Sequence, residues 1–163
     1  MKTLLIVYHS RTGGAAQMAR AAARGARAEA EIHTRLLTAE AARAEDLLAA
    51  EAYIFAAPEN SAALSGEMKA FFDRAYYPVL GRIEGRRYAS LICAGSDGTN
   101  AARQIARITT GWRLQAAAEP LIVCTHAQTP EAILAEKVLR QEDLAACAAL
   151  GEAMAAGLSA GIF

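Results

Sequence analysis

The sequence predicts a doubly wound α/β domain built on a parallel sheet. Apolar runs of strand length recur along the chain, segments of helical composition and crossover length separate them, and small polar loops rich in glycine follow the strands. The 163 residues, 54% of them apolar, suffice for one continuous core, so one domain is expected over 1–163.

The strands are expected at Thr3–Tyr8, Ala30–Leu36, Ala52–Ala57, Tyr88–Ala94 and Pro120–Thr125. Leu4-Leu5-Ile6-Val7, Tyr53-Ile54-Phe55 and Leu121-Ile122-Val123 are apolar throughout, as strands covered on both faces require. In Ala30–Leu36, Glu31, His33 and Arg35 alternate with Ile32 and Leu36, the pattern of a half-exposed edge strand. Between them, helices are expected at Gly14–Ala28, Thr38–Ala50, Ser65–Tyr77 and Thr99–Leu114. A further helical stretch starts at Thr129 and divides near Arg140-Gln141, so that Glu142–Leu158 forms the terminal helix. Thr38, Ser65 and Thr129 can each cap a helix start, and Pro130 suits the first helical position. The abundant alanine favours helix and close helix-to-sheet approach. Right-handed crossovers then leave two plausible strand orders.

Charge and composition narrow the function. Seventeen basic and seventeen acidic residues cancel, so no global field draws nucleic acid or an anionic membrane surface. The apolar run in MKTLLIVY is too short for a secretion signal or a membrane span, and a cytoplasmic protein is expected. Cys93, Cys124 and Cys147 are far apart and form no C-x-x-C pair; buried thiols are expected. No His/Cys/Asp cluster has metal-ligand spacing.

In an open parallel sheet, ligands bind outside the carboxyl ends of the strands, so three loops are candidates. The first is Ser10-Arg11-Thr12-Gly13-Gly14-Ala15, where hydroxyls, an arginine and two glycines meet a helix N-terminus, as a bound phosphate needs. It lacks G-x-x-x-x-G-K-[ST] and G-x-G-x-x-G, and Tyr8-His9 and Ala57-Pro58 stand where a receiver domain needs acidic residues. No G-x-S-x-G elbow is present. The second loop runs Pro58-Glu59-Asn60-Ser61-Ala62-Ala63-Leu64 and the third Gly95-Ser96-Asp97-Gly98. His9 adjoins the first loop and either meets the phosphate or ends the strand exposed. His126 ends the fifth strand without a recognisable partner, and His33 is expected in solvent.

Ser10-x-Thr12-Gly13-x-Ala15 resembles the S/T-x-T-G-x-T phosphate loop of the flavodoxin-like superfamily, with Ala15 in place of the last hydroxyl residue. The segment from Pro58 through Ser65-Gly66-Glu67-Met68-Lys69-Ala70-Phe71-Phe72-Asp73-Arg74 resembles the corresponding stretch of its NAD(P)H-dependent FMN and quinone reductases, the tryptophan-repressor-binding-protein-like branch. The resemblance implies a flavodoxin-like three-layer sandwich with a five-stranded parallel sheet of order 2-1-3-4-5. It implies FMN as cofactor, with the first loop on its phosphate, the second beside its ring and the third on its pyrimidine edge. NADH or NADPH would be the cosubstrate, a quinone or flavin the acceptor, and a homo-oligomer, dimer or tetramer, the assembly. Chemistry would then reside on the flavin, so no catalytic side chain is sought. Met68, Phe71 and Phe72 are expected in the core, and Lys69, Asp73 and Arg74 as helix-support or interface charges. Trp112 is expected to pack. An electron-carrying flavodoxin, or a fold relative that has lost FMN, are the alternatives, and the neutral charge and Asn60–Ala63 speak against the carrier.

Overall fold

The computed structural model describes residues 1–163. In chain order the elements are β1 (Lys2–Tyr8), α1 (Gly14–Ala26), β2 (Ile32–Thr38), α2 (Ala44–Leu48), β3 (Ala52–Asn60), β4 (Ala63–Leu64) and α3 (Gly66–Val79). There follow β5 (Arg87–Ala94), α4 (Thr99–Gly111), β6 (Gln115–Ala116), β7 (Leu121–Cys124), α5 (Pro130–Leu134) and α6 (Gln141–Ser159). The sheet runs β2-β1-β3-β5, and the fifth position is shared by β6 and β7, both parallel to β5. That is the flavodoxin-like order 2-1-3-4-5, with its last strand interrupted at Ala117–Pro120.

Alternation along the buried strands sorts the side chains into two cores. Leu5, Val7, Tyr53 and Phe55 face one side, where Met68, Phe71, Phe72, Ile105 and Trp112 of the α3 and α4 region cover them. Leu4, Ile6, Ile54 and Leu91 face the other, against Met18 of α1 and Met154 and Leu158 of α6. Trp112 is fully buried beside Phe72 and Tyr76 and donates its indole N–H to the Tyr76 carbonyl at 3.1 Å, so it packs as expected. Arg74 supports a turn, donating to the Ala39 carbonyl at 2.7 Å, and Lys69 and Asp73 form an exposed pair.

Several expected elements change. β2 lies two residues later than Ala30–Leu36, because its register with β1 runs from Lys2↔Ile32 to Tyr8↔Thr38. Pairing of Thr38 consumes the start of the expected helix Thr38–Ala50, and only Ala44–Leu48 remains helical. Its carbonyl end is held instead by Arg86, whose guanidinium donates to the carbonyls of Leu47, Leu48 and Ala50. Thr38 caps only a turn, through the N–H of Ala41. α4 stops at Gly111 because Arg113 takes a left-handed conformation, φ 56°. α5 is one short turn, capped by Thr129 as expected. Cys93 and Cys147 are buried, but Cys124 is only half-buried.

Candidate functional site

The chain leaves β1 for β2 on one side of the sheet and later enters β3 on the other, so strand order reverses between β1 and β3. The loop Ser10–Ala15 sits at this switch point. Gly13 is left-handed, φ 94°, which only glycine adopts freely, and it turns the chain into α1. The Ser10 hydroxyl accepts the Gly13 N–H at 3.1 Å. Beyond it, the N–H groups of Gly14, Ala15 and Ala16 bond to nothing in the protein, and the first turn of α1 contains no acidic residue. Gly14 lies so close to β5 that an added Cβ would overlap the Cys93 thiol. The result is a positive helix end with free donors, pressed against the sheet.

The second and third loops form one rigid unit. β3 continues past Ala57 and turns back at Ser61-Ala62, both left-handed at φ 49° and 62°, into β4, pairing Glu59 with Leu64 and Asn60 with Ala63. This is a two-residue hairpin of the type that usually carries Asn-Gly. α4 pins it. Asn100 donates to the Ala62 carbonyl at 2.7 Å, and Gln104 accepts the Leu64 N–H at 2.7 Å. The Glu59 carboxylate accepts the N–H of Gly98 at 2.9 Å and of Ala101 at 3.0 Å, capping α4 from another element. Glu59→Gln leaves one of these donors unmatched and removes the charge, and is expected to cost about 1–2 kcal/mol in thermal unfolding followed by Trp112 fluorescence. An unchanged melting curve would contradict the capping role.

A strap at residues 133–139, from the end of α5 towards α6, closes the third side. Lys137 donates its backbone N–H to the Thr12 carbonyl at 2.8 Å. Gln17 of α1 donates to the Lys137 carbonyl at 2.6 Å and accepts the Leu139 N–H at 3.2 Å. These bonds lay the Lys137 side chain against the first loop, with Nζ 3.3 Å from the Thr12 hydroxyl.

Between these walls lies a narrow cleft of about 60 Å³, bounded by Ser10, Thr12, Gly14 and Ala15, by Pro58 and Cys93–Gly95, and by Thr125 and Lys137. Arg11, Glu59, Asn60, Gly95, Ala127 and Ile133 border both this cleft and a wider groove of about 300 Å³, which runs on to Ser61, Ala62 and Ser96. No aromatic side chain lines either space. The arrangement can hold an anion at the narrow end and a flat group in the groove.

A family model described as NADPH-dependent FMN reductase matches residues 38–128, more than half of the chain. The chain belongs to this family. A flavodoxin of Aquifex aeolicus (strain VF5) is 33% identical over 98 residues, 60% of this chain and 53% of that protein, so the chain spans about half the length of the curated relative it matches. Among solved structures, a flavodoxin from the domain Archaea superposes with a TM-score of 0.79 at 18% identity, covering 96% of this chain and 99% of that one. A flavodoxin-type, WrbA-like protein from Agrobacterium tumefaciens gives 0.75 at 18%, covering 98% and 99%. At such identity these two likenesses concern the fold.

The FMN reductase family match contains the hairpin and the third loop; Ser10–Ala15 and the strap lie outside it. Of the residues singled out in the sequence, Ser10, Arg11, Thr12, Gly14, Ala15, Pro58–Ala62, Gly95 and Ser96 border the cleft or the groove. Gly13, Ala63, Leu64, Asp97 and Gly98 do not. Gly13 turns towards the strap, Leu64 is buried in the core, and Gly98 is the glycine that starts α4. Asp97 is spent on Thr99, whose hydroxyl and N–H hold its carboxyl below the usual carboxylate range. His9 is not an exposed strand end: its Nδ1 meets the buried Ser65 hydroxyl at 2.9 Å and its Nε2 lies 3.5 Å from Glu67, tying β1 to the start of α3. Thr125, Ala127, Ile133 and Lys137 were not expected. The available signal was the long connection after the fifth strand, which must leave the sheet at its carboxyl edge.

Proposed function

We propose that this FMN reductase family member binds FMN with its phosphate at Ser10–Ala15, and that it passes hydride from NADH or NADPH to a quinone or a free flavin. The observation that carries the reading is the pair of unbonded N–H groups at Gly14 and Ala15, on the wall of a cleft that widens towards the hairpin and Gly95-Ser96. Those N–H groups and the Thr12 hydroxyl suit phosphate oxygens. The hairpin and α4, locked together by Glu59, Asn100 and Gln104, would hold one edge of the ring without reorganising. With small side chains at Ser61 and Ala62 and none aromatic, one ring face stays open to a nicotinamide or an acceptor. Bound FMN would supply the hydride chemistry, so the chain's work is to bind, orient and exclude.

The test is a visible spectrum and flavin fluorescence of the purified protein with added FMN, before and after NAD(P)H. Binding with bleaching is expected. No binding at tens of micromolar FMN would reject the reading. Binding without bleaching would favour an electron carrier, the reading suggested by the Aquifex flavodoxin likeness. Ala15→Ser returns a hydroxyl beside the free N–H groups and is expected to tighten FMN about three- to tenfold. Unchanged or weaker binding in the same titration would place the phosphate elsewhere.

A further inference from the structure

We infer that Lys137 supplies the counter-charge for the phosphate of the bound ligand, substituting for the hydroxyl that position 15 lacks. This rests on the proposed phosphate site at Ser10–Ala15.

Lys137 borders the narrow end of the cleft with Ser10, Thr12, Gly14 and Ala15. Its ammonium donates to the Ile133 carbonyl at 2.8 Å and to the Ala135 carbonyl at 2.5 Å, both on its own strap, and its remaining contact is the longest, 3.3 Å to the Thr12 hydroxyl. It forms no ion pair; its sequence neighbour Glu136 does not reach it. The ammonium therefore sits at the positive end of α1, whose first turn offers no carboxylate. The Glu136 side chain packs beside Gly13 at the same helix end. A phosphate in the cleft would take the ammonium donor now turned to Thr12 and meet the positive end of α1 at the same time.

The placement is built in by the backbone. Lys137 N–H to Thr12, and both ends of the Gln17 amide on Lys137 and Leu139, fix the strap whatever the ammonium does. The lysine is thus positioned before the ligand arrives, and little ordering cost remains at binding.

FMN and riboflavin, which differ only by the phosphate, separate this role from a structural one. Titrations by flavin fluorescence at low and high salt compare the wild type with Lys137→Met and Lys137→Arg. Lys137→Met is expected to weaken FMN by about tenfold or more and to flatten its salt dependence, while riboflavin affinity moves less than about twofold. Lys137→Arg should retain most of the FMN affinity. Equal loss for both flavins in Lys137→Met would overturn the assignment in favour of a strap that merely shapes the groove, and unchanged FMN affinity would overturn it outright. A wild type that binds FMN no tighter than riboflavin, or binds neither, would overturn the phosphate site itself and the assignment with it.

Discussion

Gly151→Val is expected to lower stability by about 3 kcal/mol or more, a fall in melting temperature of at least about 6 °C for a chain of this size. α1 and α6 cross backbone to backbone. A Cβ added at Gly151 would overlap the Ala22 carbonyl oxygen and lie 2.6 Å from its carbon and 2.9 Å from its Cα. Gly25 stands in the same relation to Ala148. Backbone cannot swing aside as a side-chain end can, so the two helices must separate and loosen the core around Met18 and Met154. Any helix-propensity gain over glycine, at most about 1 kcal/mol, is too small to offset this. Gly66→Ala is the control: nothing lies within 4 Å of its added Cβ, so it should be neutral or slightly stabilising. Equal melting temperatures for Gly151→Val and wild type would refute the close crossing.

Stability should also fall steeply as pH rises from about 9 to 12. Burial pushes the Cys93 thiol up to about 11, the Cys147 thiol up to about 12 and the Tyr53 phenol up to about 12. For each group the folded pKa exceeds the unfolded one. The unfolded chain therefore loses protons first, and stability that is full below about pH 9 drains away as pH climbs towards the folded values. A tenfold difference in proton affinity between the folded and unfolded chain is worth about 1.4 kcal/mol, so the three groups together remove several kcal/mol, a large part of an ordinary domain's stability. Arg86, bonded to the Tyr53 hydroxyl at 3.0 Å, favours the phenolate and moderates that group's share. Urea unfolding at pH 7, 9 and 10.5, followed by Trp112 fluorescence, measures the decline. Cys147→Ala should make it shallower. A decline parallel to that of the wild type would remove Cys147 from the account.

Much of the fold is legible in the residue pattern. Uninterrupted apolar runs such as Leu4–Val7 and Tyr53–Phe55 mark strands covered on both faces, and helix α6, expected at Glu142–Leu158, spans Gln141–Ser159. Met68, Phe71 and Phe72 recur at helical spacing and are buried. The helix expected at Thr38–Ala50 failed for a reason outside its own sequence: Thr38 pairs with Tyr8 in the sheet, and Arg74 takes the Ala39 carbonyl. The hairpin at Ser61-Ala62 was hidden because neither residue favours the left-handed conformation, and contacts from α4 hold it there.

Local chemistry thus determined the strands, the glycine turn at Gly13 and the polar loops at the carboxyl edge, because periodicity and turn preference act over a few residues. Tertiary structure decided what those loops do. Glu59 is 39 and 42 residues from the N–H groups it caps, and Gln17 is 120 residues from the strap it fastens. Nothing in the neighbourhood of such residues records a partner that only chain folding brings within hydrogen-bond reach. For the same reason nothing in the sequence around Lys137 marks it, and only the folded chain sets its ammonium beside Thr12.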